Sequence, residues 1–245
     1  MSRGRRPERT RSTGTAVRSG SAPRPKRPRK PIYLTVAAVG AVVVLVVVAW
    51  FTPLLSARTV TVVGNAGVPS EEILAALSVP TGQPLLRVDT GAAADRVASI
   101  AKVDHVRVER SYPSTIKVTV VERAPAVFYD APEGTHLMDA SGVAYAIEPP
   151  PPGLPRLAVA RPAQDDAATV DALTTLESLP PHLRPQVTEV SAATLPDIRL
   201  TLVDGRQVLW GSVEESEHKA AILGPLLGQP GQVFDVSSPD LPTVK

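Results

Sequence analysis

The sequence predicts an α+β protein. A single apolar helix comes first, then a β-α-α-β-β domain, then a second, β-rich domain with helices on one face. Three observations carry this reading. Residues 32–55 are an uncharged apolar run. Residues 57–125 alternate strand-like and helix-like patterns of apolar side chains. Residues 126–238 break into short apolar runs split by turn residues, with two longer helical patterns among them.

Charge is distributed unevenly along the 245 residues. Residues 1–30 hold eleven basic side chains and one acid, a net charge of +10; the other 215 hold 15 basic and 23 acidic, a net charge of −8. Residues 1–31 are rich in Arg, Pro, Ser, Gly and Thr, too polar to offset chain entropy by burial, so a disordered basic tail is expected. No aromatic residue accompanies this charge, which favours contact with anionic membrane lipids over nucleic acid.

Ile32 to Leu55 is 24 residues without a charge, and a bilayer core of ~30 Å needs about 20 helical residues. Tyr33 and Trp50 lie near its two ends, where amphipathic rings favour the membrane interface. The run is too long for the apolar part of a cleaved signal peptide, and Leu55-Ser56-Ala57 is a poor cleavage site. The basic flank precedes the run, so the amino terminus is expected in the cytoplasm and the remainder outside, a single-pass type II topology.

The first outer domain opens on a strand, Thr59 to Val63, stopped by Gly64-Asn65. Ser70 reads as the cap of a helix with Glu71 and Glu72 in its first turn and Ile73, Leu74 and Leu77 on its apolar face. Thr81 to Pro84 breaks the chain, and Asp89-Thr90 caps a second helix carrying Ala93, Val97 and Ile100 as far as about Lys102. Two strands follow. Val106 and Val108 alternate in one, Ile116, Val118 and Val120 in the other, with a turn over residues 110–114.

In the second domain, Ala126–Tyr129, His136–Met138 and Val143–Ile147 read as strands, with a hairpin loop at 139–142. Glu148 to Gly153 is a proline tract that must be extended. A helix is predicted over 167–179, strands over 187–191, 198–203 and 207–210, and a helix from Gly211 with a capping box of Ser212 and Glu215. Gln232–Val236 reads as the last strand, and residues 239–245 as a flexible end. A terminal strand leaves unpaired N–H and C=O groups along its free edge.

The β-α-α-β-β order resembles a POTRA domain. The strings VTVVGNAGVPSEEILAALSVPTGQPLLRVDT and VDHVRVERSYPSTIKVTVVERAPAV resemble the FtsQ/DivIB family of bacterial cell-division proteins, over about residues 30–238. The resemblance implies a plasma-membrane scaffold concentrated at the division septum, linking cytoplasmic division proteins to septal wall synthesis without catalysis. It also implies partners, FtsB-like and FtsL-like single-span proteins and other divisome proteins. FtsB would add a strand to the edge matched here by Val233, Phe234, Asp235, Val236, Ser237 and Ser238.

Catalytic and metal patterns are missing from the sequence. There is no cysteine, which excludes disulfides, thiol catalysis and thiolate metal sites. His105, His136, His182 and His218 show no metal-ligand spacing. No nucleophile elbow, Ser-x-x-Lys or P-loop is present. No enzyme, cofactor or metal is therefore expected. The alternatives are a wall enzyme on the same anchor, whose polar cleft the sequence does not supply, and a POTRA module of a transport or assembly system. The latter would need barrel strands that the remaining residues lack. Trp210 beside Gly211 reads either as an exposed anchor or as a core residue at a strand end.

Overall fold

Alternating apolar residues build two separate β-sheets in the computed structural model, which describes residues 30–51, 55–193 and 196–245. Most of the basic tail lies outside the described residues. Helix α1 spans Lys30–Phe51, and its side chains at 33–47 are all exposed. The span expected over 32–55 overlaps this helix. Among the described residues, however, no helix is long and apolar enough to cross a membrane.

The first sheet has three strands in the order β1 (Thr59–Val63), β3 (Thr115–Glu122), β2 (Val103–Ser111). β1 runs parallel to β3 and β2 antiparallel to it. Helices α2 (Ser70–Leu77) and α3 (Thr90–Ala98) supply the other half of the core, with Ile73, Leu77, Ala93 and Val97 buried among Ile116, Val118 and Val120. Gly64 is required where β1 ends. It sits at φ +92°, and a Cβ there would run into the Val120 carbonyl. Asp89 caps α3 as expected, accepting from Gly91 N and Ala92 N at 3.0 Å each. Ser70 does not cap α2. Pro69 holds the cap position, and the Ser70 hydroxyl instead accepts from Asn65 Nδ2 at 3.0 Å.

The second sheet has nine strands: β4 (Pro125–Ala131), β5 (Gly134–Asp139), β6 (Ala144–Ile147), β7 (Arg156–Val159), β8 (Val187–Ala192), β9 (Ile198–Leu202), β10 (Gln207–Gly211), β11 (Val233–Asp235) and β12 (Thr243–Val244). Their spatial order is β12-β11-β10-β9-β8-β7-β4-β5-β6. Helices α4 (Ala167–Ser178) and α5 (Ser216–Leu226) bury Ala172, Leu173, Leu176, Ala220 and Leu223 with Val190, Leu200, Val208 and Phe234.

Two expectations for this domain are corrected, and the choice left open at Trp210 is decided. The capping box at Ser212 and Glu215 does not form, because α5 starts at Ser216 with Glu215 at φ +53°. Tertiary contacts hold this segment instead. Ser212 O accepts from Lys219 Nζ at 2.8 Å, and Ser216 Oγ accepts from Trp210 Nε1 at 3.1 Å. Trp210 is fully buried, so it is a core residue. Finally, residues 233–235 are not the last strand and do not have a free edge. Thr243–Val244, within the expected flexible end, pair antiparallel with them.

Candidate partner-docking edge

The residues expected at the docking edge divide by the pleat. Phe234 and Val236 point into the core and are fully buried. Val233 and Asp235 are half-buried, and Ser237 and Ser238 are exposed. β10 holds β11 from one side in parallel register: Gln207 N donates to Gln232 O at 2.9 Å, and Val236 N to Leu209 O at 3.0 Å. Phe234, the Gln232 carbonyl and the Val236 N–H therefore face β10, while the Gln232 N–H is given to Lys245 O at 2.7 Å. Val233 and Asp235 turn their backbone groups outward. Val233 exchanges both hydrogen bonds with Lys245, each at 2.9 Å, and Asp235 stands opposite Thr243. Beyond them the strand turns. Asp235 Oδ1 accepts from Ser237 N at 3.0 Å and from Ser237 Oγ at 2.6 Å, so Ser237 and Ser238 form a turn and not a longer edge. The Arg206 guanidinium lies 5.3 Å from the centre of the Phe234 ring and donates to Leu227 O at 2.8 Å, fixing β11 against the α5 end.

A second polar cluster joins the two sheets through the two-residue link between β3 and β4. Arg123 Nη1 lies 2.5 Å from Asp139 Oδ2 and 3.3 Å from Asp104 Oδ1, and Arg123 Nε donates to Ala101 O at 3.1 Å. Asp139 Oδ1 also accepts from Ser141 N, Ser141 Oγ and Val143 N. Burial pushes the Asp139 carboxyl up, but the hydrogen bonds from Ser141, Val143 and Arg123 outweigh it and hold it below its ordinary value. Glu122 behaves alike. Burial raises it, and the N–H groups of Val68, Gly67 and Ala66 more than compensate, so its carboxyl is also lowered. Lys102 Nζ meets Glu148 at 2.8 Å across the same junction. No sequence pattern marked these contacts, since they join residues far apart in the chain.

Other candidates disperse. His105 is an exposed neighbour of Asp104, while His136 stacks on Tyr129 with ring centres 4.9 Å apart. Among the described residues no cluster of His, Asp and Glu could hold a metal ion. An apolar groove of about 560 Å³ is lined by Pro125, Pro155, Leu173 and Leu176, with Glu177 and Arg184 as its charged members. Arg184 is committed to the Leu179 and Glu177 carbonyls.

Lys219 is the one buried cation among the described residues of the core. Its Nζ donates to Ser212 O, and among the described residues no carboxylate lies within ion-pair distance of it. Burial lowers its pKa, and Glu215 and Glu214 offset this only in part. The folded state therefore binds fewer protons here than the unfolded chain, and stability should rise with pH through the alkaline range up to the ordinary lysine value of about 10.4. Lys219→Met keeps the buried stem and removes the charge. The variant is expected to be as stable as the parent or about 1 kcal/mol more stable, and to lose that alkaline rise. Melting curves at neutral and alkaline pH check both.

The comparisons with known proteins match both folded parts. The family of POTRA domains, FtsQ-type, matches residues 55–123, and that of cell division protein FtsQ/DivIB, C-terminal, matches residues 126–241. A cell division protein FtsQ from Corynebacterium glutamicum is 33% identical over 213 residues, which are 84% of this chain and 96% of that protein. The chain belongs to the FtsQ/DivIB family. FtsQ proteins from Mycobacteroides abscessus and Mycobacterium tuberculosis are 53% and 47% identical, each over 196 residues, or 80% of this chain. The matched part spans 63% and 62% of those two relatives. The FtsQ-type POTRA match ends at residue 123 and the C-terminal match starts at 126, so the junction cluster around Arg123 lies where the two FtsQ modules meet.

Proposed function

We propose that this FtsQ-family chain is a single-pass, non-enzymatic divisome scaffold. Its basic tail lies in the cytoplasm against anionic lipid. The apolar segment 32–55 crosses the plasma membrane, and the two folded domains act outside, at the septum. FtsB-like and FtsL-like proteins dock on the second domain, and FtsB adds a strand at β11. The observation that carries this reading is the ladder face that Val233 and Asp235 turn away from β10, covered only by the two-residue strand β12 in the nine-stranded sheet of a domain of the FtsQ/DivIB C-terminal family. The uniformly exposed apolar side chains at 33–47 support the anchor, because such a surface is stable only when covered by lipid or protein.

A mild-detergent pull-down of the full-length chain from its native membrane tests the scaffold. Two small single-span proteins of the FtsB and FtsL kinds are expected in stoichiometric amounts. Recovery of a barrel protein, a lipid-linked substrate or no partner would overturn the reading.

A further inference from the structure

The outward groups at β11 are already in use. Val233 exchanges hydrogen bonds with Lys245, and Asp235 faces Thr243. These are the same donors and acceptors that an incoming strand would need. β12 itself is a short strand, Thr243–Val244. Its ladder to β11 uses residues 243 and 245, so Val244 alone would turn an N–H and a C=O outward.

The two strands are also held very unequally. β11 is anchored by fully buried Phe234 and Val236 and by its ladder to β10. β12 is two residues long, with Thr243 exposed and Val244 half-buried against the core. Its lead-in passes through Pro239 and Pro242, which cannot donate, and through Leu241, which is 80% exposed. Gly231 lets β12 approach, since a Cβ at that position would collide with Val244 Cγ1.

We infer that β12 is an intramolecular placeholder: it occupies the docking edge of β11 and must leave before a partner strand can add. This rests on the strand-addition reading above and supplies its regulation. The partner strand competes with residues 243–245 for Val233 and Asp235. Apparent affinity is then the intrinsic affinity multiplied by the fraction of molecules in which β12 is released. The exposed Leu241 and the prolines beside it favour release, because little apolar area is lost when this segment detaches.

The test uses the full-length chain in detergent micelles and, as probe, the purified extracytoplasmic segment of the same organism's FtsB homologue. Two variants free the edge in different ways. One lacks residues 239–245. The other, Gly231→Ala, keeps every residue of the edge and evicts Val244 by steric clash. Both are expected to bind the probe about tenfold more tightly than the parent, as they would if the released state is populated at roughly a tenth. In the parent, amide exchange at Lys245 is expected to speed up on binding while Val233 stays protected. Probe binding by the parent with unchanged or weaker binding by both variants would overturn the placeholder and leave strand addition standing. No binding by the parent or either variant would overturn both. Near-ultraviolet circular dichroism, to which the packed ring of buried Trp210 contributes, reports whether each variant remains folded.

Discussion

Asp235→Pro is expected to weaken binding of the FtsB-like segment by about tenfold to a hundredfold, with the monomer still folded. The Asp235 N–H is one of two outward donors on β11, opposite Thr243. Proline removes that donor and places its ring against the incoming strand. An acceptor on the partner strand is then buried without a donor, at a cost of about 1–3 kcal/mol. The ladder to β10 runs through Gln232 and Val236, so the fold keeps its bonds on that side. Asp235→Asn is the control. It retains the N–H and an oxygen for Ser237, and should bind like the parent. Because the same N–H also faces Thr243 of β12, the substitution is compared in the chain lacking residues 239–245, where no release of β12 can offset the loss. Titration of that chain with the FtsB-like segment checks this, and unchanged affinity in Asp235→Pro would sink strand addition at β11.

Asp139→Ala is expected to destabilise the second domain by about 2–3 kcal/mol. The carboxylate holds the 139–143 turn through three donors and closes on Arg123, whose side chain is 18% exposed. Removing it orphans those donors and leaves a largely buried guanidinium with the more distant Asp104. The loss falls below the usual range for broken buried pairs because Asp104 and the Ala101 carbonyl remain. Asp139→Asn separates the two parts, since it restores an acceptor for the turn but not a charge for Arg123.

The pH dependence follows from the direction of the shift. The Asp139 carboxyl is lowered in the folded state, so the folded chain binds fewer protons than the unfolded one as pH falls through the carboxylate range. The stabilisation is complete above the ordinary Asp value of about 4 and is lost as pH drops towards the lower folded value. The gap between parent and Asp139→Ala should therefore close in acid. Denaturant unfolding, with amide exchange read at Ser141 and Val143, measures it. A gap that stays constant from neutral pH to about pH 3 would exclude the ion pair as its source.

Local rules made much of this chain legible as sequence. Alternation at Val60 and Val62, at Val106 and Val108, and at Ile116, Val118 and Val120 specified the first sheet, because the pleat sends alternate residues to opposite faces. Asp89 announced the start of α3 because a cap bonds to donors two and three residues on. The strings around those strands carried the family resemblance, which both family matches bear out.

What the sequence left open depended on partners far along the chain. Ser212 and Glu215 had the spacing of a capping box, yet Lys219 and Trp210 reached the groups nearby and moved the helix start to Ser216. Thr243-Val244 is a β-branched pair after a proline, too short to be distinguished from a loose end; it becomes a strand only because Val233 and Asp235 present a ladder for it to meet. Arg123 and Asp139 are sixteen residues apart with no pattern between them, and only the turn from the first sheet into the second brings their charges together. Periodicity and caps are local and can be read from neighbours. Which edge is open, which charge is paired and which strand covers another are settled only by contacts that the folded chain creates.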